Sequence, residues 1–299
     1  MKVGIIGAGS LGLLFAAYLS RAFETIIYTR TPAQAEQINQ NGIVLKKGDT
    51  ETSTNVQAFP ISDWKGTETV TVVAVKQYHL QTIIEKVNSS AAPNLLFIQN
   101  GMGHLKLLEA IKEKNIAVGS VEHGALRENA YTVYHNGEGI TNAARFQGTA
   151  DWLHFLAAKV PNDFPIVIRE NYFDMLLKKL IVNAAINPLT AILRVKNGDL
   201  IENPYYLQAL NNLFEEISDV LRLDDKEAYL QHIHYVCQST AENRSSMLKD
   251  LEAGRMTEVD AILGFLLDEA ETLHKKAAQI QGLYFLIKGK EQEERSEQF

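Results

Sequence analysis

Short and almost purely apolar runs recur along the first half of the chain. They are KVGIIGA, TIIYTR, TVTVVAV, NLLFIQN and IAVGSVEHG. Strands that are buried on both faces consist of nearly continuous Val, Ile and Leu, so these runs predict parallel strands. Amphipathic segments lie between several of them, at residues 11–21, 32–41, 78–87 and 104–114. The alternation predicts a doubly wound parallel sheet.

The pattern changes in the second half. The runs AYTVYHN and ITNAARF, separated by GEG, predict an antiparallel hairpin attached to the sheet, and FPIVIRE predicts one more short strand. After Asn171 the apolar residues recur at helical spacing. We therefore expect an α/β domain over residues 1–169 and an all-α domain over residues 170–299. The charged end, KGKEQEERSEQF, lacks an apolar stripe and predicts a frayed or disordered tail.

Composition and charge narrow the classes of function. The 299 residues are 46 % hydrophobic, which is enough to build two cores. The formal net charge is −7 and no dense basic block occurs, so a nucleic acid or an anionic membrane is not the expected partner. Cys237 is the only cysteine, which excludes an intramolecular disulfide and suits a cytoplasmic protein. No leader pattern or long apolar segment suggests export or membrane insertion.

The first strand ends in a glycine-rich stretch, IIGAGSLG. Gly7, Gly9 and Gly12 have the spacing that gives a tight turn, close approach of backbone amides to a pyrophosphate, and close packing of the following helix on the sheet. The stretch predicts a Rossmann-type dinucleotide site made by Gly7, Ala8, Gly9, Ser10, Leu11 and Gly12. A flavin site or a purely structural turn is the alternative.

The end of the second strand bears on the choice of nucleotide. An NAD-preferring site offers Asp or Glu there, whereas this chain has Arg30 between Thr29 and Thr31. A guanidinium beside hydroxyls suits a 2′-phosphate, so we expect NADPH or NADP⁺. An ordinary solvated arginine is the alternative.

Ligands of open α/β sheets bind outside the carboxyl ends of the strands. Lys76 follows TVVAV, Asn100 follows LLFIQ, and Ala125 ends the stretch EHGA. Each has an ordinary alternative, such as a solvated lysine or a turn asparagine, but their shared location makes all three candidates for the site.

An apolar helical stretch, KKLIVNAAINPLTA, carries polar residues every fourth position: Lys179, Asn183 and Asn187. At about 100° per residue these side chains share one face of a helix. Burying them without partners costs several kcal/mol, so a polar cleft or a ligand is expected against that face. The alternatives are a surface lysine, caps and satisfied core amides, and Pro188 invites a break after Asn187.

A second polar face is predicted further on. Asn243 and Ser246 are three residues apart in one predicted helix, and Glu258 opens the next one. A first-turn acid favoured by the helix dipole is the ordinary explanation of Glu258.

The chain resembles the ketopantoate reductase family. The resemblance is carried, in order, by GAGSLG, KQYHL, IQNGMG, EHGALR, KKLIVNAAINPLTA with KNGDL, and ENRSSMLKDLEAGRMTEVD, from residue 1 to about residue 267. The lysine–asparagine helix and the SSMLKDL…TEVD stretch are far more restrictive than the glycine loop. The resemblance implies reduction of 2-dehydropantoate to pantoate by NADPH, a step towards pantothenate and coenzyme A.

The family pattern also implies roles, position by position. It implies that Lys179 is the general acid and that Glu258 closes near it. The substrate-binding residues it implies are Asn100, Lys179, Asn183, Asn187, Asn197 and Ser246. The further cofactor-binding residues it implies are Arg30, Lys76, Asn100, Ala125 and Glu258.

Elementary chemistry agrees with those roles, because hydride delivery to a 2-oxo carbon builds negative charge on an oxygen that a lysine can protonate. The rival hypotheses are a related reductase of another branched 2-oxo acid and a non-catalytic NADP(H)-sensing module. A Mg²⁺-dependent isomeroreductase would need clustered carboxylates, and Glu258 is the only well-placed one, so no metal is expected. We expect a small-molecule substrate and a monomer or homodimer.

Overall fold

The computed structural model describes residues 1–296, and the chain divides into two compact units. The α/β unit comprises Met1–Gln99 and Leu105–Met175. The helical unit comprises Asn100–His104 and the chain from Leu176 onward. The helical unit is therefore assembled from two separate stretches of sequence.

The strands of the α/β unit are, in chain order, β1 (Lys2–Ile6), β2 (Glu24–Thr29), β3 (Ile43–Lys47), β4 (Thr50–Thr54), β5 (Gln57–Pro60), β6 (Val70–Val73), β7 (Asn94–Phe97), β8 (Asn115–Val121), β9 (Gly124–Arg127), β10 (Thr132–Gly137), β11 (Thr141–Gln147) and β12 (Ile166–Arg169). The helices of the described residues are α1 (Ser10–Leu19), α2 (Pro32–Asn41), α3 (Leu80–Asn88), α4 (Leu105–Leu108), α5 (Asp151–Lys159), α6 (Tyr172–Leu193), α7 (Asp199–Glu202), α8 (Pro204–Leu221), α9 (Lys226–Ser239), α10 (Ser246–Glu252), α11 (Phe265–Thr272) and α12 (Ala278–Ser296).

The main sheet confirms the predicted doubly wound fold. Its eight strands lie in the order β12-β11-β8-β7-β6-β1-β2-β5, and those from β8 to β5 run parallel. Strand β1 is central, with Ile5 opposite Ile27 of β2 and Val72 of β6. All three side chains are fully buried, because both faces of the sheet are covered. The strand order reverses between β1 and β6, and the glycine stretch follows β1 at that point.

The predicted hairpin is wrong. Strand β10 belongs to a second, four-stranded sheet of order β4-β3-β10-β9, whereas β11 pairs antiparallel with β8 in the main sheet. The intervening glycines do not make a two-strand turn. Instead, the amide of Glu122, directly after β8, donates to the carbonyl of Ile140, directly before β11, at 2.9 Å. The chain is therefore already hydrogen-bonded to the end of β8 when β11 begins. The predicted helix at residues 104–114 is also reduced to the single turn α4.

The long helix α6 carries the lysine–asparagine stripe. It continues through Pro188 without the break that the sequence suggested. The hydroxyl of Thr190 donates to the carbonyls of Ile186 and Asn187 at 2.9 and 3.0 Å, which supports this part of the helix from inside. By length and composition α6 could cross a membrane (22 residues, mean hydropathy 1.4), but 67 % of its most apolar stretch is buried in the protein, as in a core helix.

The C-terminal stretch differs from its prediction. Residues 288–296 of the predicted frayed tail form the end of helix α12. Its buried side chains include Ile280, Ile287 and the carboxylate of Glu291. The last three residues of the predicted tail lie outside the described residues.

Candidate active site

The three glycines after β1 meet different demands. Gly7 has a φ of +104°, and a Cβ on Gly12 would lie 1.7 Å from the carbonyl oxygen of Gly7. The fold itself therefore requires glycine at both positions. Gly9 has an ordinary φ of −83°, and a Cβ there would meet nothing within 4 Å. The open space beside Gly9 is the cradle that a pyrophosphate would fill.

Helix α1 begins at Ser10 with Gly9 as its N-cap. No side chain caps it, and its first turn contains no acidic residue. The first amides of the helix and its partial positive charge are therefore directed at the glycine loop, which suits an anion.

The three residues predicted near the 2′-phosphate, Thr29, Arg30 and Thr31, differ in exposure and in hydrogen bonding. Arg30 directly follows β2 and is exposed. The hydroxyl of Thr29 is buried and donates to the carbonyl of Thr31 at 2.8 Å, while the hydroxyl of Thr31 accepts from the amide of Gln34 and caps α2. The hydroxyl hydrogen of Thr29 is thus committed to local structure, whereas the guanidinium of Arg30 and the hydroxyl hydrogen of Thr31 remain suited to a phosphate.

Lys76 and Ala125 follow other strands of the α/β unit. Lys76 precedes the 3-10 turn Gln77–His79 after β6, and Val75 lies against Gly7 of the glycine loop. Burial, and secondly the charge of Arg30, lower the pKa of His79. The charge of Arg30 therefore acts on the turn that follows β6.

Strand β9 contributes a residue that the sequence did not single out. The amide of Arg127 donates to Ser10 Oγ at 3.1 Å, and its guanidinium donates to the carbonyl of Ala8 at 3.3 Å. This places β9, with Ala125 two residues earlier, beside the glycine loop. Since Ser10 accepts from Arg127, its hydroxyl hydrogen is available to an anionic ligand. The arginine in EHGALR, two strand positions after Ala125, was the available signal.

The two adjacent lysines on α6, Lys178 and Lys179, differ in burial. Lys178 is exposed, whereas Lys179 and Asn183 are half-buried and Asn187 is 7 % exposed. The helical phase that links Lys179 to the two asparagines therefore also distinguishes it from its neighbour.

The start of α10 lies beside this stripe. The hydroxyl oxygens of Thr190, one turn after Asn187, and Ser245 lie 2.8 Å apart, and Ser245 caps α10 by accepting from the amide of Leu248. Ser246 is the first residue of that helix and is exposed. Asn243 precedes the helix, so the prediction that Asn243 and Ser246 share a helical face is wrong.

Asn197 lies in the loop before α7 and is 8 % exposed. The backbone holds this loop, because the amide of Asn197 donates to the carbonyl of Asn243 at 3.0 Å and that of Gly198 to Ala241 at 3.1 Å. The side-chain Nδ2 donates to Thr240 at 2.8 Å, while Oδ1 is buried and accepts no hydrogen bond within the described residues. Asn197 is thus oriented as an acceptor.

The structure brings Asn100 and Glu258 together. Asn100 Nδ2 donates to Glu258 Oε2 at 2.7 Å, which leaves the amide oxygen of Asn100 as an acceptor. Gly101 has a φ of +75°, and a Cβ on it would lie 2.1 Å from the carbonyl oxygen of Ala261. The loop from Asn100 therefore packs directly on the π-helical turn Asp260–Gly264, which follows Glu258.

The structure also bears on metal binding and on the thiol of Cys237. Within residues 1–293, whose side chains the structure describes, no group of three or more His, Cys, Asp and Glu is placed to hold a metal ion. Cys237 is a buried core residue, and burial raises the pKa of its thiol to about 11.

The strand order, the glycine loop and the uncapped helix define a Rossmann-type dinucleotide-binding protein with a second, all-α unit. Two family descriptions match the chain: ketopantoate reductase PanE/ApbA over residues 3–148, and its C-terminal part over residues 171–291. A 2-dehydropantoate 2-reductase of Bacillus subtilis is 42 % identical over 97 % of this chain and 98 % of its own length.

Solved structures give the same result. A crystal structure from Bacillus subtilis has a TM-score of 0.91 at 41 % identity and covers 97 % of this chain and 100 % of its own. A D-mandelate dehydrogenase solved with NADH and anilino(oxo)acetate, 20 % identical, has a TM-score of 0.89 with coverages of 98 % and 99 %, which shows a common fold. The chain belongs to the ketopantoate reductase family.

Proposed function

We propose that the protein reduces 2-dehydropantoate to (R)-pantoate with NADPH, as a cytoplasmic step towards pantothenate and coenzyme A. The observation that carries the proposal is the similarity to the Bacillus subtilis 2-dehydropantoate 2-reductase over 97 % of this chain. That span includes both the glycine loop and the lysine–asparagine helix.

The α/β unit has the features that NADPH requires. The cradle beside Gly9, the first amides of α1 and the hydroxyl of Ser10 would hold the pyrophosphate. Arg30, exposed after β2, would hold the 2′-phosphate. Lys76, Ala125 and Arg127 complete the proposed cofactor-binding set. When bound, the reduced nicotinamide supplies the hydride.

In the helical unit, Lys179 is the proposed general acid. Its ammonium group meets the ketone oxygen of the substrate, stabilises the negative charge that develops there, and gives up its proton to form the new hydroxyl. Half-burial on α6 fixes the side chain, whereas the exposed Lys178 has no such constraint.

The neighbouring polar groups are proposed to orient the 2-oxo acid. Amide hydrogens of Asn183 and Asn187 and the hydroxyl of Ser246 bind its carboxylate and hydroxyl oxygens. The buried Oδ1 of Asn197 suits a substrate hydroxyl, because it needs a donor. Asn100, held by Glu258, is proposed to contact both ligands through its amide oxygen.

The proposal is tested with a spectrophotometric panel of 2-oxo acids against NADPH and NADH. Oxidation of NADPH should depend on 2-dehydropantoate and should be slow with 2-oxoisovalerate, which lacks the 4-hydroxyl. Comparable turnover of 2-oxoisovalerate would show a less specific reductase. NADPH binding without turnover of any 2-oxo acid would point to a sensing module.

A further inference from the structure

The carboxylate of Glu291 is buried near the end of a highly charged helix. It is 6 % exposed, whereas Glu293, two residues later on α12, is exposed. A buried carboxylate is costly unless hydrogen bonds and a counter-charge compensate it. The partners of Glu291 therefore identify what it holds.

Those partners lie in the segment that carries Glu258. Glu291 Oε1 accepts from the backbone amide of Thr257 at 2.8 Å and from its hydroxyl at 2.7 Å. The other carboxylate oxygen pairs with Lys288 at 3.1 Å. Both hydrogen-bond donors of Thr257, the residue before Glu258, are thus held by one carboxylate oxygen of Glu291.

The residue after Glu258 is fixed through the same group. The amide of Val259 donates to the hydroxyl of Thr257 at 3.1 Å. The carbonyl of Glu258 then accepts from Ile262 at 3.1 Å, at the start of the helix that contains the π-helical turn. Since the backbone is held on both sides, Glu258 presents its carboxylate to Asn100 at 2.7 Å.

We propose that Glu291 is a positioning residue for the reaction: it holds the backbone at Thr257, and through it fixes Glu258 and the amide of Asn100. This inference rests on the proposed function, in which Asn100 and Glu258 contact the ligands. Misplacement of such groups by about 1 Å lowers rates by about 100-fold, so a buried carboxylate outside the ligand contacts can control turnover.

The variants separate positioning from general stability. Glu291→Ala removes both bonds to Thr257, whereas Glu291→Gln retains one oxygen that can accept them. The matched control is Glu293→Ala, because Glu293 forms the same kind of i,i+3 pair, with Lys290 at 2.6 Å, on the surface. Thr257→Val keeps the side-chain shape and the backbone bond but loses the hydroxyl, which provides a milder variant if Glu291→Ala does not fold.

Turnover is measured first. Glu291→Ala should lower kcat/KM for 2-dehydropantoate about 10- to 100-fold, Glu291→Gln should recover most of it, and Glu293→Ala should match the parent. In a background of Glu258→Ala, adding Glu291→Ala should change kcat/KM by less than about threefold, because both act through one group. A folded Glu291→Ala protein with unchanged kcat/KM, or losses that multiply in the double variant, would overturn the proposal.

Hydrogen exchange provides a readout that is independent of turnover. In Glu291→Ala the amides of Thr257 and Val259 should exchange at least about 10-fold faster than in the parent. Unchanged exchange would overturn the positioning role even for an active enzyme. Faster exchange in a protein that reduces no 2-oxo acid would instead support the positioning of this segment and refute the proposed function.

Discussion

Replacing Gly9 by alanine should weaken cofactor binding without harming the fold. The cost to the fold is small, because a Cβ at Gly9 meets no atom within 4 Å and its φ of −83° is accessible to alanine. Alanine is a poorer N-cap than glycine by roughly 0.5–1 kcal/mol. It also restricts the unfolded chain, which stabilises by about 0.4–1 kcal/mol. The two effects nearly cancel.

The cost to binding is much larger. The added methyl group occupies the cradle and keeps phosphate oxygens away from the first amides of α1, and each such charge-assisted hydrogen bond contributes about 1.5–3 kcal/mol. We therefore expect the Kd for NADPH to rise at least about 10-fold. Titration followed by nucleotide fluorescence or calorimetry measures the Kd. The midpoint of thermal unfolding, measured without nucleotide, should shift by less than about 4 °C.

Gly12→Ala is the matched control in the same loop. Its Cβ would overlap the carbonyl of Gly7 at 1.7 Å, so unfolding should occur at a clearly lower temperature. If Gly9→Ala binds NADPH as tightly as the parent, the cradle is not the pyrophosphate site. If it instead unfolds at as low a temperature as Gly12→Ala, the space beside Gly9 is not open.

Three further predictions concern the acid, the nucleotide and pH. Lys179→Ala should lower kcat about 10²- to 10⁴-fold with little change in the Kd for NADPH, whereas exposed Lys178→Ala should leave both unchanged; equal losses would refute the assignment. Arg30→Asp should reduce the preference for NADPH over NADH by about 10-fold or more, measured as a ratio of kcat/KM, and an unaltered ratio would place 2′-phosphate recognition elsewhere. Burial lowers the pKa of His104 from 6.5 to about 4, so below pH 7 the unfolded chain binds a proton that the folded protein does not bind. The free energy of unfolding therefore decreases as the pH is lowered. Between pH 7 and 5 this loss is about 2 kcal/mol in urea titrations, and His104→Leu should remove it; an identical pH dependence in the variant would contradict this.

The sequence identified the central sheet because its strands are continuous apolar runs, buried on both faces. Strand β4, TETST, gave no signal, because all but one of its residues are exposed and none is apolar. The local sequence also could not predict that β10 and β11 lie in different sheets. Neighbouring strands with a glycine-rich connection favour a hairpin locally, and the actual partners depend on pairing across the whole unit.

For the site, helical periodicity was sufficient to separate Lys179 from Lys178. It was not sufficient for Arg127, whose contacts with the glycine loop come from a strand 117 residues away. Glu291 was hidden for a similar reason. Charged residues near a chain end are normally exposed, and the compensating Thr257 lies 34 residues earlier. The assigned roles of the site residues remain predictions until the variants are measured.

The split origin of the helical unit constrains how relatives of this chain can be recombined. A chimera joined at residue 169 would take Asn100–His104 from one parent and Glu258 and Ala261 from the other. Asn100 would then contact a Glu258 that comes from the other parent, across the 2.7 Å hydrogen bond, and Gly101 would pack on an Ala261 from the other parent. Exchanging the five-residue loop together with the C-terminal part keeps both contacts within one parent, so functional chimeras in this family should need three crossovers: one on each side of the loop and one at the domain boundary.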